Sequence, residues 1–140
     1  MSDLSSFFAQ NVQAEVTAEV VVSDRFKDKD GKIIAWKLRS LTEEENESIR
    51  KQATKKVKGK GGVQTPETDM VDYLAKMAVA CVVYPELKNA ELQASYKVLG
   101  ADALLRKMLL AGEYSELVQQ VQKINGFDKD INELVEEVKN

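Results

Sequence analysis

The stretch from residue 68 to residue 83 constrains the fold most, because it predicts a helix that is apolar on almost every side. Its apolar side chains are Met70, Val71, Leu74, Ala75, Met77, Val79, Ala80, Cys81 and Val82. A helix that is apolar nearly all round lies inside a fold rather than on its surface. Pro85 ends the helix, since the residue before a proline avoids the helical backbone region. The rest of the chain must therefore cover a central buried helix.

Residues 13–40 predict a β-hairpin that packs on the helical part of the chain. Two runs, residues 15–26 and 33–40, alternate apolar and polar side chains with the period of two that is typical of half-buried strands. Between them stands Asp30-Gly31, a dipeptide typical of tight turns. A lone hairpin is only marginally stable in water, so we expect its apolar face to dock on the helices that follow.

Residues 42–127 predict a mostly helical core. Thr42 and Glu45 have the spacing of a capping box, which starts a helix that we expect to continue to about residue 57. The Gly- and Lys-rich residues 58–62 predict a loop. Residues 65–67, Thr-Pro-Glu, predict the approach to the central helix.

Three further helical segments follow the central helix. They start near Asn89, Gly100 and Gly112, and Asn125-Gly126 predicts the end of the third. Residues 128–140 predict a last, amphipathic helix. We therefore expect a single domain, residues 1–140, of the α+β class. It has an N-terminal hairpin (13–40) packed on a helical core (42–127), a C-terminal amphipathic helix (128–140), and five to six helices in all.

The chain contains no histidine among its 140 residues. Histidine is the commonest general acid or base, the commonest metal ligand, and the base in Ser-His-Asp and Cys-His sites. The only cysteine, Cys81, lies within the predicted buried helix, where burial makes a thiol inert. We therefore expect a protein that is not an enzyme and that uses no cofactor and no metal.

Two loops resemble ligand-binding motifs without meeting their requirements. If Gly31 is placed at the sixth position of an EF-hand loop, Phe26 and Lys37 stand where calcium needs oxygen ligands. Residues 57–63 are rich in Gly and Lys, but they lack the order of a phosphate-binding P-loop between a strand and a helix. We interpret the first as a solvated turn and the second as a mobile loop.

The charge of the chain gives little support to nucleic acid or membrane binding. The formal net charge is −3, whereas phosphate binding needs uncompensated positive charge. A basic cluster is present, but no aromatic residue is interleaved for base stacking; it consists of Arg50, Lys51, Lys55, Lys56, Lys58 and Lys60. The longest apolar run is about a dozen residues, and a membrane span needs about 20. With no signal-peptide pattern at the start, we expect a cytoplasmic protein.

Two amphipathic helices near the C-terminus are the candidate protein-binding surface. The candidate residues are Tyr114, Leu117, Val118, Val121, Ile131, Leu134, Val135 and Val138. Burying the last four would contribute ~6–12 kcal/mol, whereas ordering ten residues costs ~10–20 kcal/mol of backbone entropy. The last helix must therefore dock, either on its own core or on a partner. Its acidic side would favour a basic surface.

Several segments resemble the XkdN-like phage tail assembly chaperones of prophages and tailed phages of Gram-positive bacteria. The strongest is residues 73–85, YLAKMAVACVVYP, which is similar to the family's central helix. The resemblance covers roughly residues 4–127, with Ala111 where the family pattern suggests proline. Its other segments are residues 36–39, 65–68, 89–93, 95–96, 100–101, 104–105, 108–110 and 112–114.

The resemblance implies a helper in building long phage tails. Such chaperones bind the tape measure protein or tail tube protein, keep it soluble before assembly, and are absent from the finished virion. A frameshift-extended form of the same chain is a further partner that the resemblance suggests. Two alternatives stay open: a small nucleic-acid-binding protein that uses residues 50–60, and a structural component of the phage particle.

Overall fold

The computed structural model describes residues 4–127, and these form five α-helices and five short β-strands. The helices are α1 (Glu43–Gln52), α2 (Met70–Cys81), α3 (Ala90–Ser95), α4 (Ala101–Met108) and α5 (Ala111–Ile124). The strands are β1 (Thr17–Val20), β2 (Trp36–Arg39), β3 (Thr54–Lys58), β4 (Gln64–Thr68) and β5 (Val82–Tyr84). The predicted α+β class with an N-terminal hairpin is confirmed. The helix predicted over residues 128–140 lies outside the described residues.

β1 and β2 form the N-terminal hairpin, with Thr17 opposite Arg39 and Val20 opposite Trp36. The paired strands are shorter than predicted, because residues 21–35 leave the ladder except for one bridge between Lys27 and Ile33. β5 pairs antiparallel with the other edge of β2, which gives a three-stranded sheet in the order β1-β2-β5. β2 is therefore the central strand.

The third strand corrects the predicted end of the central helix. We expected that helix to continue to residue 83, but α2 ends at Cys81 and the chain pairs with β2 from Val82 onward. Val82 and Val83 are β-branched, a side-chain type that favours strands, and Tyr84 precedes Pro85. Tertiary pairing with β2 therefore takes over two residues earlier than the apolar pattern indicated.

A second hairpin, β3–β4, corrects the predicted end of α1 and the predicted loop. α1 ends at Gln52 rather than near residue 57, and residues 54–58 pair antiparallel with residues 64–68. Thr54 and Thr68 share a hydrogen bond of 2.8 Å between their hydroxyl oxygens at the base of this hairpin. Gly61 and Gly62 have φ values of 75° and 78°, which glycine adopts readily at the tip.

The hydrophobic core forms where α2 meets the central strand and the later helices. Met77 and Cys81 of α2 are buried together with Trp36 and Leu38 of β2. The other helices supply the rest of the largest buried side chains, Leu104, Leu105, Leu117 and Val121. The prediction that α2 is the central helix agrees with this arrangement. Its first turn is an exception, since Met70 remains 56% exposed.

Asn125 joins three elements at the C-terminal end of α5. Its side-chain oxygen accepts a hydrogen bond of 2.6 Å from the backbone N–H of Leu41, just before α1. Its amide nitrogen donates to the carbonyl of Val121 at 2.8 Å and to Cys81 Sγ at 3.4 Å. Burial raises the pKa of the Cys81 thiol, which keeps it protonated at neutral pH. The predicted helix stop at Asn125-Gly126 thus also ties the end of α5 to α2.

An ion pair between Arg25 and Glu113 joins the loop before β2 to the start of α5. Arg25 Nη2 and Nε lie 2.5 Å and 3.1 Å from the two carboxylate oxygens, and Nη2 also donates to the carbonyl of Met108. Glu113 in turn accepts from the backbone N–H of Leu110 at 2.8 Å. Hydrogen bonds from Arg25 and Ser23 are the main cause that lowers the pKa of Glu113 to about 2.

Replacing Glu113 with glutamine is expected to destabilise the fold at neutral pH and to have less effect in acid. Because the folded pKa is depressed from 4.5 to about 2, the carboxylate stabilises the fold above pH 4.5. That stabilisation is lost as the pH falls toward 2. The difference in urea midpoint between the native chain and Glu113→Gln should therefore shrink across this window. Glu116→Gln, on the same helix, is the control and should leave the midpoint unchanged.

Replacing Leu117 with alanine tests whether α5 is held by its buried face. Because Leu117 is fully buried in the core, Leu117→Ala should lower the free energy of unfolding by ~2–5 kcal/mol. Val118, next along the helix, is only partly buried, and Val118→Ala should cost distinctly less. Urea denaturation followed by circular dichroism measures both. Equal losses would contradict the assigned orientation of α5.

Candidate functional site

The N-terminal arm, which we define as residues 4–16, exposes the densest group of large apolar side chains. Leu4 and Phe7 are each 73% exposed, and Phe8 and Val12 are about half exposed. The arm forms two short 3-10 turns, Leu4–Phe7 and Ala9–Asn11. Within residues 4–127, the hydrophobic core includes no residue of the arm. Exposed apolar groups of this kind mark interaction sites.

The arm is attached to the described fold near its C-terminal end. Ser40 N–H donates to the carbonyl of Val16 at 2.8 Å, and Val16 N–H donates to Ser40 Oγ at the same distance. Glu15 lies 3.9 Å from Arg39 in an exposed ion pair. Residues 8–12 instead hydrogen-bond within the arm, as in the 2.8 Å bond from Asn11 Nδ2 to the carbonyl of Ser5. The apolar side chains therefore stand beside the sheet rather than under it.

The predicted protein-binding residues of α5 are divided between the core and the surface. Leu117 and Val121 are buried, so in the described fold their side chains pack against their own chain. Tyr114 and Val118 are partly buried, and Tyr114 packs against the core. The remaining candidates, Ile131, Leu134, Val135 and Val138, lie outside the described residues. Partner binding through these residues stays a prediction.

The β3–β4 hairpin carries four of the six residues of the predicted basic cluster, and the other two, Arg50 and Lys51, lie in the last turn of α1. Lys55, Lys56 and Lys58 project from β3, and Glu67 stands opposite Lys55. A groove of about 350 Å³ separates the hairpin from the last turn of α1. None of the described side chains that line this groove is aromatic. Its lining residues include Arg50, Lys51, Lys55 and Lys56 against a single carboxylate, Glu47.

A larger cleft of about 500 Å³ lies between β2, α2 and the segment after β5, and two cations in its lining, Lys76 and Arg39, are paired with carboxylates. Lys76 Nζ lies 3.0 Å from Asp72 and 3.8 Å from Asp102, and the hydrogen bond to Asp72 raises the pKa of Lys76. Arg39 lies 3.0 Å from Glu45 and lowers the pKa of that carboxyl. These groups are thus held in their charged forms, whereas a general acid or base works best with a pKa near neutrality.

In the turn around Gly31, which fails as an EF-hand loop, the Asp28 side chain hydrogen-bonds to the backbone of the turn itself. Asp28 Oδ1 accepts hydrogen bonds from the backbone N–H groups of Asp30 at 2.8 Å and Lys32 at 3.0 Å. Among residues 4–127, no group of three or more His, Cys, Asp or Glu side chains is arranged to hold a metal ion. No helix of the described part is long and apolar enough to cross a membrane.

The chain is similar over nearly its whole length to a protein family and to proteins of Bacillus subtilis. The family model of the phage XkdN-like tail assembly chaperone proteins matches residues 4–139. YqbN of Bacillus subtilis (strain 168), an uncharacterized protein, is 37% identical over 99% of this chain and 93% of its own length. XkdN of the phage-like element PBSX, from the same organism, is 33% identical over 99% and 94%.

A solved structure shares the fold. The crystal structure of YqbN superposes with a TM-score of 0.78 and 29% sequence identity, covering 91% of this chain and 99% of that one. The buried α2 and the segments that resembled the chaperones therefore belong to one shared architecture. This chain is a member of the XkdN-like phage tail assembly chaperone family.

Proposed function

We propose that this protein is a non-enzymatic chaperone that binds the tape measure protein or the tail tube protein of its phage. It keeps this client soluble in the bacterial cytoplasm until the tail is assembled. Membership of the family supports a role in tail assembly. The observation that carries the proposal is the N-terminal arm, whose large apolar side chains find no place in the core of the described residues.

The arm has the chemistry of a client-binding element. Burying the four side chains of Leu4, Phe7, Phe8 and Val12 in a complex would contribute ~6–12 kcal/mol before the costs of ordering and association. Two adjacent phenylalanines supply most of the contact area, and aromatic residues are enriched in the centres of protein interfaces. The arm is therefore suited to binding an apolar segment of the client, which would aggregate in water without a partner.

α5 provides a second proposed contact beside the arm. The helix packs against β1, the strand into which the arm leads. Among the predicted binding residues that the structure describes, Tyr114 and Val118 have side chains that remain partly exposed to solvent. The arm attaches beside Ser40, whose neighbour Leu41 contacts Asn125 at the C-terminal end of α5, so a client held by the arm and by α5 would extend along the helix toward Val118 and Tyr114.

Co-expression with the tape measure protein of the same phage tests the proposal. The double variant Phe7→Ser with Phe8→Ser should lose at least about 2 kcal/mol of binding, because buried aromatic anchors dominate interfaces. That loss corresponds to a roughly thirtyfold weaker complex. Soluble tape measure protein and the complex on gel filtration should both decrease. Leu99→Ser is the matched control, since Leu99 is 93% exposed and lies outside the arm.

Two results would count against different parts of the proposal. If the tape measure and tail tube proteins are equally soluble without this chain, and neither forms a complex on gel filtration, the chaperone role is wrong. If a complex forms and the phenylalanine variant binds as well as Leu99→Ser, the role stands and the arm is not the binding element. The native chain should also be absent from purified particles on immunoblots, because a structural component would be present.

A further inference from the structure

The β3–β4 hairpin stands in solvent on both of its faces. All the residues at 55–58 and 64–67 are exposed, and only Thr54 and Thr68 at the base are half-buried. Within residues 4–127, the hydrophobic core includes no residue of these two strands. A two-stranded hairpin is only marginally stable in water, and a third strand or a covering surface stabilises it. The hairpin is therefore an incomplete sheet with room for another strand.

The hydrogen bonds at the two ends of the hairpin fix which of its backbone groups face inward. Asp69 N–H donates to the carbonyl of Ala53 at 2.8 Å, and Gly59 N–H donates to the carbonyl of Val63 at 2.7 Å. Opposed residues of an antiparallel ladder alternate between pairs that exchange hydrogen bonds and pairs that do not. Every second residue of β3, starting from Lys55, therefore bonds to β4. The residues between them turn their N–H and C=O groups outward.

The two outer edges of the hairpin differ in what they offer an added strand. The residues whose backbone groups point outward are Thr54, Lys56 and Lys58 on β3, and Gln64, Pro66 and Thr68 on β4. Pro66 has no N–H group, so a strand beside β4 would lose a central hydrogen bond. Lys56 and Lys58 keep their N–H and C=O groups, and in the described part of the chain no hydrogen bond uses them. Strand addition therefore favours the β3 edge.

The β3 edge and its surroundings carry positive charge that the described carboxylates leave uncompensated. Lys51 pairs with Glu47 at 3.4 Å. Among residues 4–127, no ion pair involves Arg50, Lys56 or Lys58. Lysines on an edge strand keep neutral strands away, because pairing would crowd and desolvate their charge. An acidic strand instead neutralises the lysines, so the edge selects its partner by charge.

The chemistry of the occupant follows from this edge. Residues 50–68 contain no aromatic side chain on which a nucleic-acid base could stack, and a nucleic acid has no peptide groups to pair with a strand. Directly opposed residues of neighbouring strands place their side chains on the same face. The five residues of β3 span about 17 Å. An extended peptide segment of similar length, with Asp or Glu at alternate positions, would therefore meet Lys56 and Lys58 on one face.

We propose that the β3–β4 hairpin is a docking site for an acidic, extended segment of a partner protein, which adds to the β3 edge as a third strand. Main-chain hydrogen bonds to Lys56 and Lys58 hold the segment in register, and its carboxylates lie beside these two lysines. Lys56 also lines the basic groove with Arg50 of α1, so this face offers the segment a further cation. The site shares no residue with the N-terminal arm. The proposal therefore goes beyond the chaperone function and does not depend on it.

Titration of the full chain into a fluorescein-labelled peptide of alternating Glu and Thr, about nine residues long, tests this docking. Fluorescence anisotropy should rise to saturation at about 0.15 M salt. In a nitrogen-15 spectrum, the amides of Lys56 and Lys58 should shift most. The same peptide with every glutamate N-methylated keeps its charge but cannot donate hydrogen bonds from these residues to β3. It should bind at least about tenfold more weakly, since strand addition depends on main-chain hydrogen bonds.

The variant Lys56→Glu with Lys58→Glu should also weaken binding of the unmethylated peptide at least about tenfold, because it reverses the charge of the edge. Lys27→Glu with Lys29→Glu is the matched control, since it makes the same change in net charge in the exposed turn between β1 and β2 and should leave binding unchanged. Absence of saturable binding, equal binding of the N-methylated peptide, or full binding by the Lys56 and Lys58 variant would each overturn the proposal. So would tighter binding of an oligothymidylate of equal charge, which would assign the edge to nucleic acid.

Discussion

The packing of α5 against both α2 and the β1–β2 strands is the interaction on which the rest of the structure depends. Met77 and Cys81 meet Trp36 and Leu38 from the sheet and Leu117 and Val121 from α5, all buried in one cluster. Each such side chain contributes about 1.5–3 kcal/mol when fully buried. The sheet cannot stand alone with strands of three or four residues. It forms because α5 and α2 bury its inner face in this cluster.

Polar contacts then fix how the outer segments attach to this core. Asn125 holds the end of α5 to α2 and to the chain before α1, and Arg25 with Glu113 holds the loop before β2 to the start of α5. Arg39 with Glu45 joins β2 to the first turn of α1. Among the described residues, the N-terminal arm is joined to β2 through Val16 with Ser40 and Glu15 with Arg39, and the β3–β4 hairpin lies at the end of α1. The side chains of both segments stand outside the core cluster and stay largely exposed.

Local patterns in the sequence predicted those parts of the fold that local physics decides. The capping box at Thr42 and Glu45 and the stop at Asn125-Gly126 are both present, because each depends on a few neighbouring residues. β5 and the β3–β4 hairpin were missed, because a strand exists only when its partner is in place. Lys55 to Lys58 follow a helix with few apolar residues and show little alternation, so nothing local marks the change from helix to strand.

The candidate site was only partly predictable for a related reason. Leu4, Phe7, Phe8 and Val12 recur at roughly helical spacing in the sequence. A sequence alone does not tell which of two apolar segments is buried in the core. The fold buries Leu117 and Val121 and leaves the arm outside. Choosing between them requires knowing that α5 lies against α2, which is a property of the packed structure rather than of either segment.

The β3–β4 hairpin is a place where the chain can open, be cut or gain residues without disturbing the core. Its principal helix contact is with the end of α1, and its side chains stand outside the core cluster. Opening it would therefore require little of the global unfolding free energy. The tip at Gly59 to Gly62 is the natural place for a protease to cut and for evolution to lengthen the chain, since each doubling of a loop costs only ~0.6 kcal/mol. Such changes would leave the core intact while altering the charge that the groove presents.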